Sequence, residues 1–407
     1  MFCCNFLRPG YVDDLFTTLF VMNSPPERRH YIDWVRVLAF FLLIFFHCAM
    51  PFVIFGWEIK NEETSLALSR LIWWMHQWRL PLLFFISGVG IHFSLKSRSV
   101  IGFAGERIVR LFIPLVFAML FVIPLQVYFE KTQRGLVKGS YIDFYQTVWN
   151  FVPYPDGTLT WSHMWFVVYL FVFCMLLLPV FALFKIRMLE KWKNRAASVL
   201  SLPFPAFALL LPLAFYYFTL YLKYPEQQSL LDDWFLFIFS LTLLLYGYLL
   251  GGSYRFWESC EKYRLYFLGV AVASTIFLFY NYWWQMKLPK EQSMVYLFGV
   301  ISAMHIWSLI LAVLGFAKKH LNFSNRFLRY ANQAVYPFYI LHQTIIVATG
   351  YYVVKWPLPV FIKMTILIVI CFSSLILIYH FIIKRFVATR ILYGLKPRQK
   401  KSMQNIP

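Results

Sequence analysis

The 407-residue chain is 60% hydrophobic and only 14% charged, whereas a soluble domain carries roughly a quarter charged residues. Its apolar residues fall in long continuous runs, which excludes a soluble enzyme and, because the runs do not alternate, a β-barrel. The net charge of +20 would suit nucleic acid in a soluble protein. Here the basic residues lie between apolar runs, where they orient a membrane protein, and no nucleic-acid motif accompanies them.

The expected fold is an all-α polytopic membrane protein of about ten transmembrane helices, with N- and C-termini cytoplasmic. Residues 1–30 form a cytoplasmic tail. Within it, residues 1–21 are short and unpatterned, and Met22 opens a stretch that reads as a natural start, so 1–21 is expected to be a start-site extension or a disordered tail. Cys3-Cys4 suits lipidation or a place in that tail. No cleavable signal peptide is expected, because no small-residue cleavage site follows the first apolar run.

Ten runs long enough to span follow, near 35–55, 71–94, 108–129, 162–184, 203–222, 233–251, 264–284, 294–316, 333–354 and 358–383. They make up a single transmembrane domain over 31–385, and 386–407 is a basic cytoplasmic tail. With the N-terminus inside, most loop lysines and arginines fall on the cytoplasmic side, as the charge bias of membrane proteins requires. Pro81, Pro114, Pro124, Pro179 and Pro337 lie inside runs, where neighbouring helices re-satisfy the backbone. No internal repeat is visible, which counts against a transporter built from duplicated halves.

The first run carries the sharpest chemistry. Arg36 and His47 are eleven residues apart, which on a helix is three turns plus roughly 20°, so they share one face about 16 Å apart. Asp33 precedes Arg36 by three residues and can pair with it. An ionisable group at the depth of His47 marks a functional site, although a neutral histidine hydrogen-bonded inside the bundle fits the same position.

Arg107 and Arg110, at the start of the third run, are i,i+3 neighbours that serve either as an inside anchor or, with Arg36, as a basic mouth for phosphates. A deep histidine below such a mouth suits a cytoplasmic donor such as acyl-CoA. In the second run, His76 and Arg79 suit an interfacial belt or, for Arg79, acceptor binding or oxyanion stabilisation. His163 opens the fourth run as a sugar contact or an interface residue. His342 lies deep in the ninth, and His305 in the eighth is read as packing.

The longest outer loop, about 130–161, is rich in Tyr and Trp that suit a membrane-interface belt or the stacking of sugar rings. Ser87-Gly88 with Gly90 reads as close helix packing, and Gly247 and Gly251-Gly252 as a helix end. Cys48, Cys174 and Cys371 lie in apolar runs as packing residues. No nucleophile elbow, phosphate loop or metal-ligand spacing is present, so no metal is expected.

These residues also carry a resemblance. Asp33-Trp34-Val35-Arg36 with His47 resembles the first-helix signature of the acyltransferase 3 family of membrane proteins, and Arg107-x-x-Arg110 its second signature. The stretches Arg79 to Gly88, His163 to Leu170 and Tyr336 to Gln343 resemble three further segments of that family, in order, from about residue 30 to 345. The wording is most similar to the glucan biosynthesis protein C branch, which tends to carry Trp34 where other members have glycine. That branch is linked to succinylation of osmoregulated periplasmic glucans.

The resemblance implies a multi-pass enzyme of the bacterial inner membrane. It would move an acetyl or succinyl group from cytoplasmic acyl-CoA, a co-substrate rather than a tightly bound cofactor, to a carbohydrate hydroxyl outside. Asp33, Arg36 and His47 would be catalytic. Arg36, Arg107 and Arg110 would hold the acyl-CoA head, and Arg79, His163 and His342 would bind the acceptor. His47 acts either as general base or as a nucleophile forming an acyl-imidazole. The other classes that the same residues suit are a proton-coupled transporter or channel for a small anion, and a homologue that kept the scaffold and lost the chemistry.

Overall fold

The computed structural model describes residues 28–201 and 203–396. The tail 1–21 with Cys3-Cys4, and residues 397–407 of the basic tail, lie outside the described residues. Among the described residues every regular element is helical, and the one β-contact is an isolated bridge between Pro153 and Leu159.

Twelve helices carry the architecture. They are α1 (His30–Ala49), α2 (Leu66–Lys96), α3 (Val100–Gln133), α4 (Trp165–Leu176), α5 (Arg187–Leu200) and α6 (Leu210–Thr219). Then come α7 (Trp234–Leu250), α8 (Tyr254–Lys262), α9 (Arg264–Leu278), α10 (Gln292–His320), α11 (Arg326–Val353) and α12 (Val360–Ile378). By length and hydropathy six helices can cross a membrane, and seven if α7 and α8, bent by 106° at their junction, count as one span. Shorter apolar helices occupy 162–176 and 206–219.

The core is built around α1, which packs against α2, α10, α11 and α12. A helix that is apolar on every face belongs inside, and the buried residues of α1 run around its circumference from Tyr31 to Ala49. By contrast, α9 and α12 leave Val272, Ile276, Phe361, Val369 and Leu377 on the outside of the bundle. In a multi-pass membrane protein such faces meet lipid.

Helix α3 absorbs Pro114 and Pro124 by widening. Ile113 N–H donates to Ile108 O and Ile123 N–H to Ala118 O, five residues back in each case. Each widened turn sits just before a proline, whose missing N–H and bulky ring forbid a regular bond there.

Close packing fixes α2 on α7. A Cβ on Gly88 would lie 1.9 Å from Leu244 O, and one on Gly247 would lie 1.9 Å from Phe85 O. The two glycines are a reciprocal contact that lets the backbones touch. Gly247 is therefore interior packing rather than a helix end, and α7 stops at Leu250, just before Gly251-Gly252. Gly90, expected to share this packing role, faces open space. Cys48, Cys174, Cys260 and Cys371 are buried and unpaired.

Candidate active site

A cavity of about 680 Å³ lies within the bundle, lined by α1, α2, α3, α4, α11 and nearby loops. Arg36 lies toward one end of its α1 wall and His47 toward the other. The eleven-residue spacing read from the sequence thus becomes two groups facing one space, about 16 Å apart along the helix.

At the Arg36 end, α1 and α11 are tied by a polar triangle. Arg36 Nη1 donates to Asp33 Oδ1 and to Asn332 Oδ1, and Asn332 Nδ2 donates to Asp33 Oδ1, all at 3.2 Å. Asp33 also accepts from Arg28 at 2.9 Å. Asp33 therefore holds Arg36 in place and belongs to the Arg36 end, nearly four helical turns from His47.

Next to this end, Glu106 gathers three guanidinium groups, Arg98 at 3.0 Å, Arg110 at 3.3 Å and Arg107 at 3.9 Å. One carboxylate cannot neutralise three cations, so the patch stays positive. Leu111 and Tyr336 line the cavity, whereas Arg107 and Arg110 do not. Arg110 Nε donates to Gly394 O at 3.3 Å, and Gly394 packs against the ring of Tyr336.

At the other end, His47 and His342 meet. His342 Nδ1 lies 2.7 Å from Tyr339 O. A carbonyl only accepts, so Nδ1 carries the proton and Nε2 of the neutral ring is an acceptor. His47 Nδ1 lies 2.9 Å from that Nε2 and must donate to it. The proton of His47 is thereby fixed on Nδ1, and the lone pair on Nε2 is left for chemistry. The ring sits between Phe46 and Trp57, nearly parallel to Trp57 with centroids 6.4 Å apart.

His163 is a neighbour rather than a free ring. Its Nε2 donates to Ile340 O and its Nδ1 accepts from Gln126 Nε2, both at 3.2 Å, while its ring meets His342 edge-on at 5.2 Å. Both nitrogens are engaged, which leaves it to brace α11 rather than to exchange protons.

Arg79 is buried inside the bundle. It stands about 20 Å along α2 from Leu66, is only 1% exposed and lines the cavity. Its guanidinium stacks over Phe46 at 4.1 Å, while Nε and Nη1 have no hydrogen-bond partner among the described residues. A buried, unpaired cation is costly. One aimed into a cavity is suited to charge that a bound substrate brings or develops.

Two lining residues, Trp57 and Glu58, lay outside the sequence expectations, and Gln343, part of the Tyr336–Gln343 segment, has no role in them. Trp57 and Glu58 come from the loop after α1, and Gln343 follows His342. Gln343 Nε2 donates to Glu58 Oε1 at 2.6 Å. Burial lifts the Glu58 carboxyl to about 7. The loop is clamped by Lys60, whose ammonium donates to the carbonyls of Met50, Val53 and Phe55. A lone Glu eleven residues after a histidine carries no sequence signal of its own, since only folding brings it to Gln343.

The aromatic loop also divides. Tyr154 and Trp161 line the cavity, whereas Tyr128, Tyr141, Tyr145 and Trp149 pack on one another. His76 pairs with Glu226 at 3.1 Å at the cavity rim. His305 packs between α9 and α10, 2.9 Å from Thr275 Oγ1. Among the described residues no group of three or more His, Cys, Asp or Glu is placed to hold a metal ion.

The sequence profile of the acyltransferase domain family matches residues 29–383. The chain is 23% identical over 349 residues to the glucans biosynthesis protein C of Salmonella paratyphi B and of Salmonella enteritidis, covering 81% of this chain and 85% of each relative. It is 24% identical over 351 residues to the protein of that name from Salmonella paratyphi A, with the same coverage. No solved structure matches the chain.

Proposed function

This chain belongs to the acyltransferase domain family and is a multi-pass membrane acyltransferase; from that premise we propose that it transfers an acetyl or succinyl group from acyl-CoA to a hydroxyl of a periplasmic or cell-surface glycan. In this reading it crosses the bacterial inner membrane ten times with both termini cytoplasmic. The Arg36 end then faces the cytoplasm and the Glu58 end faces outward. The relatives named for glucans biosynthesis support a glucan as the acceptor.

The observation that carries the proposal is the chain from His47 through His342 to Tyr339 O. Arg36 meets the phosphates of the donor at the cavity, and Arg107 and Arg110 beside that end add the positive charge that holds them. The thioester reaches along the cavity to His47. The acceptor hydroxyl arrives from the other end, and His47 Nε2 removes its proton as the oxygen attacks the thioester carbon.

The Arg79 guanidinium stabilises the oxyanion of the tetrahedral intermediate. The carbon–sulfur bond then breaks, the thiolate takes the proton from His47, and the products are the ester and free CoA. His342 Nε2 accepts from His47 Nδ1 throughout and stabilises the transient imidazolium, as the third member of a triad does.

In this reading donor and acceptor enter from opposite ends and are bound at once. Initial-rate kinetics with purified protein in nanodiscs should give intersecting double-reciprocal lines. Parallel lines would instead mean a covalent acyl-His47.

A further inference from the structure

Helix α11 carries Pro337 just over a turn before His342. Proline supplies no N–H, so the helix loses one of its own bonds there. The turn that follows, from Tyr339 to Thr344, is gripped from outside at three points. The Tyr339 hydroxyl donates to His163 O, His163 Nε2 donates to Ile340 O at 3.2 Å, and Thr344 Oγ1 accepts from Gln126 Nε2 at 2.6 Å.

Gln126, buried on α3, stands behind two of these grips. The proton positions around it follow from two carbonyls. His163 is buried with no carboxylate bonded to it among the described residues, so its ring is neutral. Ile340 O only accepts, which puts the one ring proton on Nε2 and makes Nδ1 the acceptor. The Gln126 group 3.2 Å from that Nδ1 is therefore the amide NH2 and not the amide oxygen. The second amide hydrogen goes to Thr344 Oγ1, whose own hydrogen goes to Val122 O at 3.3 Å.

The amide oxygen accepts from Ser162 Oγ at 3.1 Å. Ser162 sits at φ +39°, where a residue with a side chain is strained. Its N–H donates to Thr160 Oγ1 at 3.0 Å and its hydroxyl to Gln126, the kind of fixing that such strain requires. One amide thus ties α3 to the start of α4 and to α11.

We propose that Gln126 is a positioning residue for the His47–His342 pair. By donating to Nδ1 it holds His163 in the tautomer whose Nε2 binds Ile340 O. By donating to Thr344 it holds the same turn from its other end. His342 lies between those two points, with its ring edge-on to His163 at 5.2 Å, and its reach to His47 is set there. The consequence for turnover rests on the acyltransferase reading, but the geometry that Gln126 governs is measurable without substrate.

The test is the reactivity of His47 toward diethyl pyrocarbonate, which modifies an imidazole nitrogen with a free lone pair. Full-length protein in nanodiscs is treated for a series of times. The rate at His47 is read by peptide mass spectrometry against the exposed His320. Gln126→Met and Gln126→Leu fill the space but cannot donate. Each should slow modification of His47 by about tenfold and leave the His320 rate unchanged. In a His163→Leu background the same changes should add about twofold at most, because the two residues act as one unit.

An unchanged His47 rate, or a loss as large in the His163→Leu background as in wild type, would overturn the proposal. So would failure of both variants to reach the membrane, which would make Gln126 a folding residue. No modification of His47 in wild type would show that its Nε2 is not free and would remove the pair that Gln126 positions. Glycans from the same cells separate this from the reaction itself. Slowed His47 in a protein that adds no acetyl or succinyl mass to any glycan would keep the positioning role and remove the acyl-transfer reading. Undiminished increments in Gln126→Met, with His47 modified at the wild-type rate, would do the reverse.

Discussion

His47 and His342 share one 2.9 Å hydrogen bond between Nδ1 and Nε2, and because His342 donates its single Nδ1 proton to Tyr339 O, it accepts from His47 and leaves His47 Nε2 as the base. Removing the acceptor removes the tautomer control. His342→Leu should lower kcat by about 100-fold with little change in KM for acyl-CoA. His342→Gln can still accept from His47 and should lose less than about tenfold. Steady-state kinetics on both variants checks the pair, and equal losses would show that His342 only fills space.

Arg79 offers a separation of stability from activity. Its buried guanidinium has no carboxylate partner among the described residues and two unsatisfied nitrogens, so Met at this position relieves a desolvation cost while preserving much of the volume. Arg79→Met should melt at the same or a higher temperature than wild type and lose about 10²- to 10³-fold in kcat. A large drop in melting temperature would mean that the cation holds the fold.

The Arg36 end should govern donor affinity. Asn332→Ala loosens Arg36 without touching the basic patch, and Arg107→Ala with Arg110→Ala removes two of the three cations around Glu106. Each is expected to raise KM for acyl-CoA by about tenfold or more while kcat at saturation is kept. An unchanged KM in the double variant would assign those arginines to membrane anchoring.

Glu58 gives a pH signature. Its carboxyl ionises at about 7, so the acceptor form present above that pH is lost as pH falls through it. Stability runs the other way. Folding raises this pKa from an unfolded value near 4.3, so the contribution is full below that value and fades as pH rises through about 7. Thermal melts of wild type relative to Glu58→Gln across that window check the sign.

The glycine contact predicts a contrast of position. Gly88→Ala or Gly247→Ala forces a Cβ onto a backbone carbonyl 1.9 Å away, which should separate α2 from α7 and lower both yield and melting temperature. Gly90→Ala, two residues from Gly88, meets nothing within 4 Å and should be neutral or slightly stabilising.

Helical periodicity made the Arg36–His47 wall legible, because a single α1 carries both residues and 3.6 residues per turn sets their face. The burial of His342 agrees with its place in the middle of the ninth run, but its contact with His47 was not legible, since pairing across helices α1 and α11 depends on packing. Arg79 suited either an interfacial belt, because of the surrounding tryptophans, or acceptor binding. The helix begins at Leu66 and buries Arg79 against the cavity. Glu58 escaped altogether. It lies in a loop whose position is set by the Lys60 clamp and whose partner, Gln343, is nearly three hundred residues away. The ten apolar runs were also clearer as composition than as spans, since α4 and α6 are short and α7 turns sharply into α8.

The central claim is that His47 Nε2 drives acyl transfer to a glycan. The direct test is mass spectrometry of periplasmic and surface glycans from cells expressing wild type or His47→Ala at equal membrane levels. An acetyl or succinyl mass increment found with wild type and absent with His47→Ala is the expected result and names the group transferred. The same increment in both would contradict the role of His47.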